Sequence, residues 1–319
     1  MKAPAKINLL LRVLALRPDG RHDIESVMQA VDFCDEVEVE TEARAPYGSL
    51  GKITGIAKIT CKTEGADLPE GEDNLAVRAA RTFLDRYGHN LSNLTVNIRI
   101  CKHIPLAAGL AGGSADAAAV FLALAAKYAS EVSLSELAEL GVSLGADVPF
   151  QIYACAKANP VLGYAEQGFG TALARGIGER LVSVHPAKKA HVLLVNPGIF
   201  VSAAEAYHLF DLQRDLDSAF FPFANATEFS ASLEAGKEVV ILSSLSNDLM
   251  PPVMAVHPEA EDLLKKMTSL CDSHRGRAMM SGSGPTVFGL FYSETDAGLA
   301  YEMARNDFPQ MFTTLTQTI

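Results

Sequence analysis

The sequence predicts an α+β fold of two domains, and three observations predict it. Apolar and polar residues alternate with period two at 36–41 (EVEVET), 56–63 (IAKITCKT) and 94–100 (LTVNIRI), the pattern of half-buried strands typical of antiparallel sheets. Helical stretches lie between strands without strict βαβα alternation, which disfavours a doubly wound sheet. The length of 319 residues, 49 % of them hydrophobic and 20 % charged, suits one large or two medium cores and excludes a disordered tail or a disulfide-stapled mini-domain.

The elements follow in order. An N-terminal strand carries APAKINLLL (3–11), ahead of the turn RPDGRHDIESVM (17–28). NLAVRAARTFLDRYG (74–88) is a helix with Asp73 or Asn74 as N-cap and Gly88 as its stop. GGSADAAAVFLALAAKYA, from Gly112, is Ala-rich and predicts a buried helix; its apolar run 117–126 is about half the roughly 20 residues that a bilayer span needs. Ser133 and Glu136 form a capping box, so 135–145 is a third helix. The second half reads as a strand at 191–198, a short helix at 201–210, a polar irregular stretch at 211–236 (a loop or lid), a helix at 257–267, a strand–glycine turn–strand at 277–292 and an amphipathic helix at 294–307. The domain division is placed between 160 and 161.

Composition excludes several roles. Twenty-seven Lys and Arg against 38 Asp and Glu leave a net charge of −11, unsuited to broad nucleic-acid binding through phosphate contacts. Five scattered Cys without a C-x-x-C pair read as reduced thiols with no zinc site. Lys6, Asn8 and Arg12 break the apolar N-terminus, so no signal peptide is expected and the chain is placed in the cytoplasm.

Three constellations carry chemistry. In IPLAAGLAGGSADAAAV (104–120) small residues lead into a helix start, where free N–H groups and the helix dipole favour a phosphate; Ser114 adds a hydroxyl for a phosphate or a magnesium-bound water. The same segment also reads as a plain strand-to-helix turn. It is neither G-x-x-x-x-G-K-[ST] nor G-x-G-x-x-G. A second glycine turn, SGSG at 281–284, is a hairpin connection by itself, although two such turns in one chain suggest a shared ligand. Finally, Lys6 and Asn8 share a strand face. A buried ammonium requires a partner, and Asp147 in LGADVPF (144–150) is the candidate. Alternatively, Lys6 snorkels to solvent and Asp147 caps a helix.

Together, APAKINL (3–9), RPDGRHDIES (17–26), DNLAVRAA (73–80), IPLAAGLAGGSADAAA (104–119), LGADVPF (144–150), NPG (196–198), ND (247–248) and SGSGPTVF (281–288) resemble the GHMP kinase superfamily, in order and across nearly the whole chain. The pattern is most similar to the branch that phosphorylates the 2-hydroxyl of 4-diphosphocytidyl-2-C-methyl-D-erythritol, a step toward isoprenoid precursors. The resemblance implies an N-terminal ribosomal-protein-S5-like domain (1–160), a C-terminal α+β domain (161–319) and an active site in the cleft between them. It implies Asp147 as catalytic base and Lys6 as its partner. Leu106, Ala107, Ala108, Gly109, Leu110, Ala111, Gly112, Gly113 and Ser114 would bind the ATP phosphates, Asn74 and Lys102 would line adenine, and Asn8, His22 and Tyr207 would hold the substrate, with Tyr207 stacking on its base. Magnesium would arrive with the nucleotide, since no carboxylate cage is visible. Asn74 reads equally as a helix cap, and Lys102 as a solvated surface charge.

Three features depart from that pattern. Arg21 stands where Tyr is usual, 154–167 looks inserted, and the chain begins almost at its first motif, so residues of the first strand are expected to be lacking. Other readings are a homoserine- or mevalonate-type kinase, or a catalytically silent ligand binder. The substrate expected is a small molecule, without nucleic acid or membrane, acted on by a monomer or homodimer.

Overall fold

The computed structural model describes residues 1–43, 58–88, 94–216 and 225–319. It contains two compact units: 1–4, 34–103 and 112–169 in the first, and 5–33, 104–111 and 170–319 in the second. Each is thus assembled from separate segments, whereas the sequence reading divides the chain once. The reason is the length of the first two strands. β1 (Lys2–Leu16) and β2 (His22–Ala43) each pass from one unit into the other.

In the first unit β4 (Leu94–Cys101) pairs antiparallel with the end of β2, Glu36 opposite Cys101 and Ala43 opposite Leu94. β3 (Lys58–Glu64) pairs with β4 in parallel, against the antiparallel expectation; residues 56–57 of that predicted strand lie outside the described residues. Helix α1 (Leu75–Tyr87) connects β3 and β4, and a crossover of this kind is what permits parallel pairing. Asn74 caps α1 by accepting from the Ala76 N–H, and Gly88 follows its last turn. Helix α2 (Gly112–Tyr128) is buried nearly all round, and its alanines let α1 and helix α4 (Val148–Ala158) pack close to it. Helix α3 (Leu134–Gly141) opens on the expected Ser133–Glu136 capping box. The segment 154–167 begins inside a helix: Ala154, Cys155 and Ala156 are fully buried at the end of α4, and a short 3-10 turn, Pro160–Leu162, follows.

In the second unit β5 (Thr171–Gly176) pairs with the start of β2, β6 (Arg180–Ser183) with β5, and β7 (His191–Asn196) enters a separate antiparallel sheet. Helix α5 (Ala203–Leu216) is longer than predicted, and α6 (Ala226–Glu234) fills more of the stretch expected to be irregular; 217–224 lie outside the described residues. After α7 (Glu238–Ser243), the two-residue strand β8 (Ser246–Asn247) pairs in parallel with β1. Helices α8 (Met250–Val256) and α9 (Pro258–Ser273) precede the hairpin β9 (Arg277–Met280) and β10 (Val287–Phe291). Helix α10 (Glu294–Asp307) and β11 (Phe312–Gln317) complete a sheet of order β11-β7-β10-β9. Among the described residues no helix is long and apolar enough to cross a membrane, and all five cysteines are free thiols.

Candidate active site

The second unit seats Lys6 inside β1. Lys6 is 4 % exposed, so it does not snorkel to solvent. Its ammonium donates to Asn8 Oδ1 at 2.5 Å, Asn8 Nδ2 donates to Ser26 Oγ at 2.7 Å, and Ser26 Oγ donates to the Leu10 carbonyl at 2.7 Å. The period-two spacing of β1 places Lys6 and Asn8 on one face, and the chain of bonds sets both rotamers.

Both glycine turns close on this pair. The backbone N–H of Lys6 donates to the Leu110 carbonyl at 3.0 Å. Ala108 and Leu110 turn their side chains into the core, so there the loop can offer a ligand only backbone groups, while Leu106 stays exposed. Ala107, Gly109 and Ala111 all have positive φ (47°, 71° and 57°), a conformation costly for alanine. A Cβ on Gly109 would collide with the Ser281 carbonyl, and Ser281 Oγ donates to the Gly109 carbonyl at 3.0 Å. Gly282, at φ 55°, lies beside the lysine side chain: a Cβ there would sit 3.2 Å from Lys6 Nζ and 3.3 Å from Asn8 Oδ1. The 281–284 segment is a hairpin connection and also a wall beside Lys6.

The same unit gathers an aromatic cluster. His22 is buried, stacked on Tyr207 (centroids 5.1 Å apart, planes at 13°) and edge-on to Phe210. That spacing leaves no room for a base between His22 and Tyr207. Asp211 Oδ1 lies 2.9 Å from His22 Nε2 and accepts from Arg214 at 3.1 Å, and Arg214 also donates to the Leu14 carbonyl. Arg21 is mostly exposed and lies on Asp19 at 3.0 Å.

In the first unit Gly112, Gly113 and Ser114 form the first turn of α2. A Cβ on Gly145 would lie 4.0 Å from Ser114 Oγ, so the turn leading to Asp147 lies beside that helix start. Asp147 is half-buried and opens α4 without a side-chain capping bond; the capping alternative therefore falls. Lys102 is not a surface charge either. Its ammonium donates to Asp116 Oδ2 at 2.8 Å and to Asp35, whose other oxygen accepts from the His103 N–H at 2.6 Å. Asp116 Oδ1 is buried without a hydrogen bond. Burial, reinforced by the Asp35 charge and opposed by Lys102, pushes the Asp116 carboxyl up to about 7. Burial pulls Lys102 down, but the two carboxylates outweigh it and its net shift is upward. Besides capping α1, Asn74 donates to the Pro69 carbonyl at 2.9 Å.

Sequence reasoning missed Asp35, Asp116, Ser26, Asp211, Arg214 and Asn247 as organising residues. Asp116 had a visible signal, an acidic residue among the alanines of an apolar helix; Asp211 had none. Among the described residues no three His, Cys, Asp or Glu side chains gather to hold a metal.

The profile of the GHMP kinases N terminal domain matches residues 74–155, and that of the GHMP kinases C terminal matches residues 232–310. The chain belongs to the GHMP kinases. In this GHMP kinase the N-terminal match contains Asn74, Lys102, the α2 start and Asp147. Lys6, Asn8 and His22 precede it, and Tyr207 lies between the two matches. A 4-diphosphocytidyl-2-C-methyl-D-erythritol kinase from Geobacter metallireducens is 35 % identical over 308 residues, covering 96 % of this chain and 94 % of its own. Its counterpart from Pelobacter propionicus is 39 % identical over 300 residues, covering 94 % and 92 %. A solved 4-(cytidine 5'-diphospho)-2C-methyl-D-erythritol kinase superposes with a TM-score of 0.71 at 29 % identity, covering 100 % of this chain and 98 % of that one.

Proposed function

We propose that this chain transfers the γ-phosphate of ATP to the 2-hydroxyl of 4-diphosphocytidyl-2-C-methyl-D-erythritol. The observation that carries the reading is the 35–39 % identity, over more than nine-tenths of both chains, to enzymes named for that substrate. The buried Lys6, walled by two glycine turns, supports a phosphoryl-transfer site in this chain itself.

In this reading Asp147 takes the proton of the alcohol, a poor nucleophile, as the bond to phosphorus forms. Lys6 offsets the charge on the transferring group. The positive-φ loop 106–111 and the first turn of α2 present backbone N–H groups to the phosphates, and Ser114 adds a hydroxyl. Asn74 and Lys102 would serve the nucleotide, and Asn8 and His22 the substrate. Because Tyr207 already covers one face of His22, the base packs on another surface of the cluster or parts the two rings. Magnesium, which neutralises phosphate charge, comes with the nucleotide. The mechanism requires Lys6 and Asp147 to reach one alcohol.

Turnover of ATP with and without the cytidine substrate tests the function. Asp147→Asn should lower kcat by about 10²–10⁴-fold with substrate binding intact; full turnover in that variant would overturn the base assignment.

A further inference from the structure

Asn247 lies on the two-residue strand β8, which pairs in parallel with β1, Asn247 opposite Leu11. It is 4 % exposed, and its amide is committed on both sides. Nδ2 donates to the Met280 carbonyl at 2.9 Å and the Gly282 carbonyl at 2.8 Å, while Oδ1 accepts from the Leu249 N–H at 3.0 Å. The next residue grips the other partner: the Asp248 N–H donates to the Leu11 carbonyl, and Asp248 Oδ2 accepts from the Val13 N–H, both at 2.9 Å. One dipeptide therefore fastens the glycine turn and the strand that carries Lys6 and Asn8.

We infer that Asn247 is a positioning residue, holding Gly282 at the separation from Lys6 and Asn8 that phosphoryl transfer requires. The inference rests on Lys6 acting in the reaction, as proposed above. Gly282 lies directly beside the pair. Its missing Cβ would already stand 3.2 Å from the Lys6 ammonium, and the neighbouring Ser281 passes any shift on to Gly109 through its hydroxyl. Only a side-chain amide at 247 donates to two carbonyls while accepting from a third group. Serine has one donor and aspartate has none.

Asn247→Ser and Asn247→Asp should lower kcat by about 10–100-fold, since a misplacement of about 1 Å costs about that much. KM for ATP and for the cytidine substrate should stay within about three-fold. Leu94→Val, buried in the core of the first unit, is the control for general destabilisation: at matched distance below Tm its kcat should be that of the wild type. Ser281→Ala combined with Asn247→Ser should lose less than the product of the single losses, because both act through one turn. Equal kcat in the Asn247 variants and the control, or fully multiplicative losses, would overturn the inference. Amide hydrogen exchange at 281–284 reads the clamp without catalysis. It should accelerate in Asn247→Ser and not in Leu94→Val, and unchanged exchange would overturn the clamp. A wild type that exchanges as expected yet never turns over the cytidine substrate would instead refute the proposed function.

Discussion

Lys6 and Lys102 are both buried, and they are held in contrasting ways. Lys102 bridges two carboxylates inside a packed unit, with Asp35 fully buried and Asp116 nearly so. Lys6 donates to an amide oxygen, beside a turn where a glycine keeps side-chain atoms off its ammonium. An ammonium between two carboxylates has its charge answered by the fold. The same residue type is thus a structural tie in one unit and the reactive candidate in the other.

Removing each lysine should break the protein differently. Lys6→Met should lower turnover of the cytidine substrate by about 10²–10³-fold, the usual loss when a group that stabilises developing charge is removed. Steady-state kinetics beside a thermal melt would show activity falling far more than stability. Lys102→Met should do its damage through the fold. It leaves Asp35 and Asp116 facing each other without a cation, a loss of about 3–5 kcal/mol, read in denaturant unfolding of the variant. If Lys102→Met unfolds like the wild type, the triad does not tie the first unit together.

His22 sharpens the contrast from a third position: a buried base whose orientation is set by neighbours rather than by charge alone. Asp211, held by Arg214, accepts from Nε2–H, so the neutral ring presents Nδ1 as an acceptor. An acceptor suits the exocyclic amine of cytosine and repels the carbonyl of uracil. Asp211→Asn lets the amide donate to Nε2 instead and moves the proton to Nδ1. The preference for the cytidine substrate over its uridine analogue, measured as kcat/KM at pH 8, should then fall by about ten-fold, within the value of one such pair. An unchanged ratio would take His22 out of base reading.

Local signals in the sequence were the most legible. Ser133 with Glu136, Asn74 ahead of α1, and the span of α10 are visible because capping and periodicity involve residues three or four apart. The alternation in β3 and β4 showed which faces were buried but not the direction of pairing, which depends on α1 between them. Lys6 and Asn8 read as sharing a face because they are two positions apart on a strand, but the bond between them was not foreseen, since the partner expected for Lys6 was Asp147. The partners of Lys102 lie 14 and 67 residues away, and those of His22 in Tyr207 and Asp211 lie farther still. Nothing local marks such pairings, and the motif at 247–248 likewise showed no role until the turn it holds was in view.

The smallest expected effect tests whether the Lys102 cluster holds one charge too many. With two carboxylates to one ammonium, the Asp116 carboxyl stands at about 7, against about 3.9 in an unfolded chain. The folded state holds that proton more tightly, so its contribution to stability is complete below about pH 4. It declines as pH rises through 7. The side-chain amide of the Asp116→Asn variant has no such proton to lose. The Tm of the variant minus that of the wild type should therefore increase by a few degrees from pH 5 to pH 8. Asp248, raised by burial to about 6, slopes the same way in both proteins and cancels in the difference. A gap that stays constant or narrows with pH would mean that the second carboxylate is fully compensated, and that Lys102 and Lys6 differ less than their partners suggest.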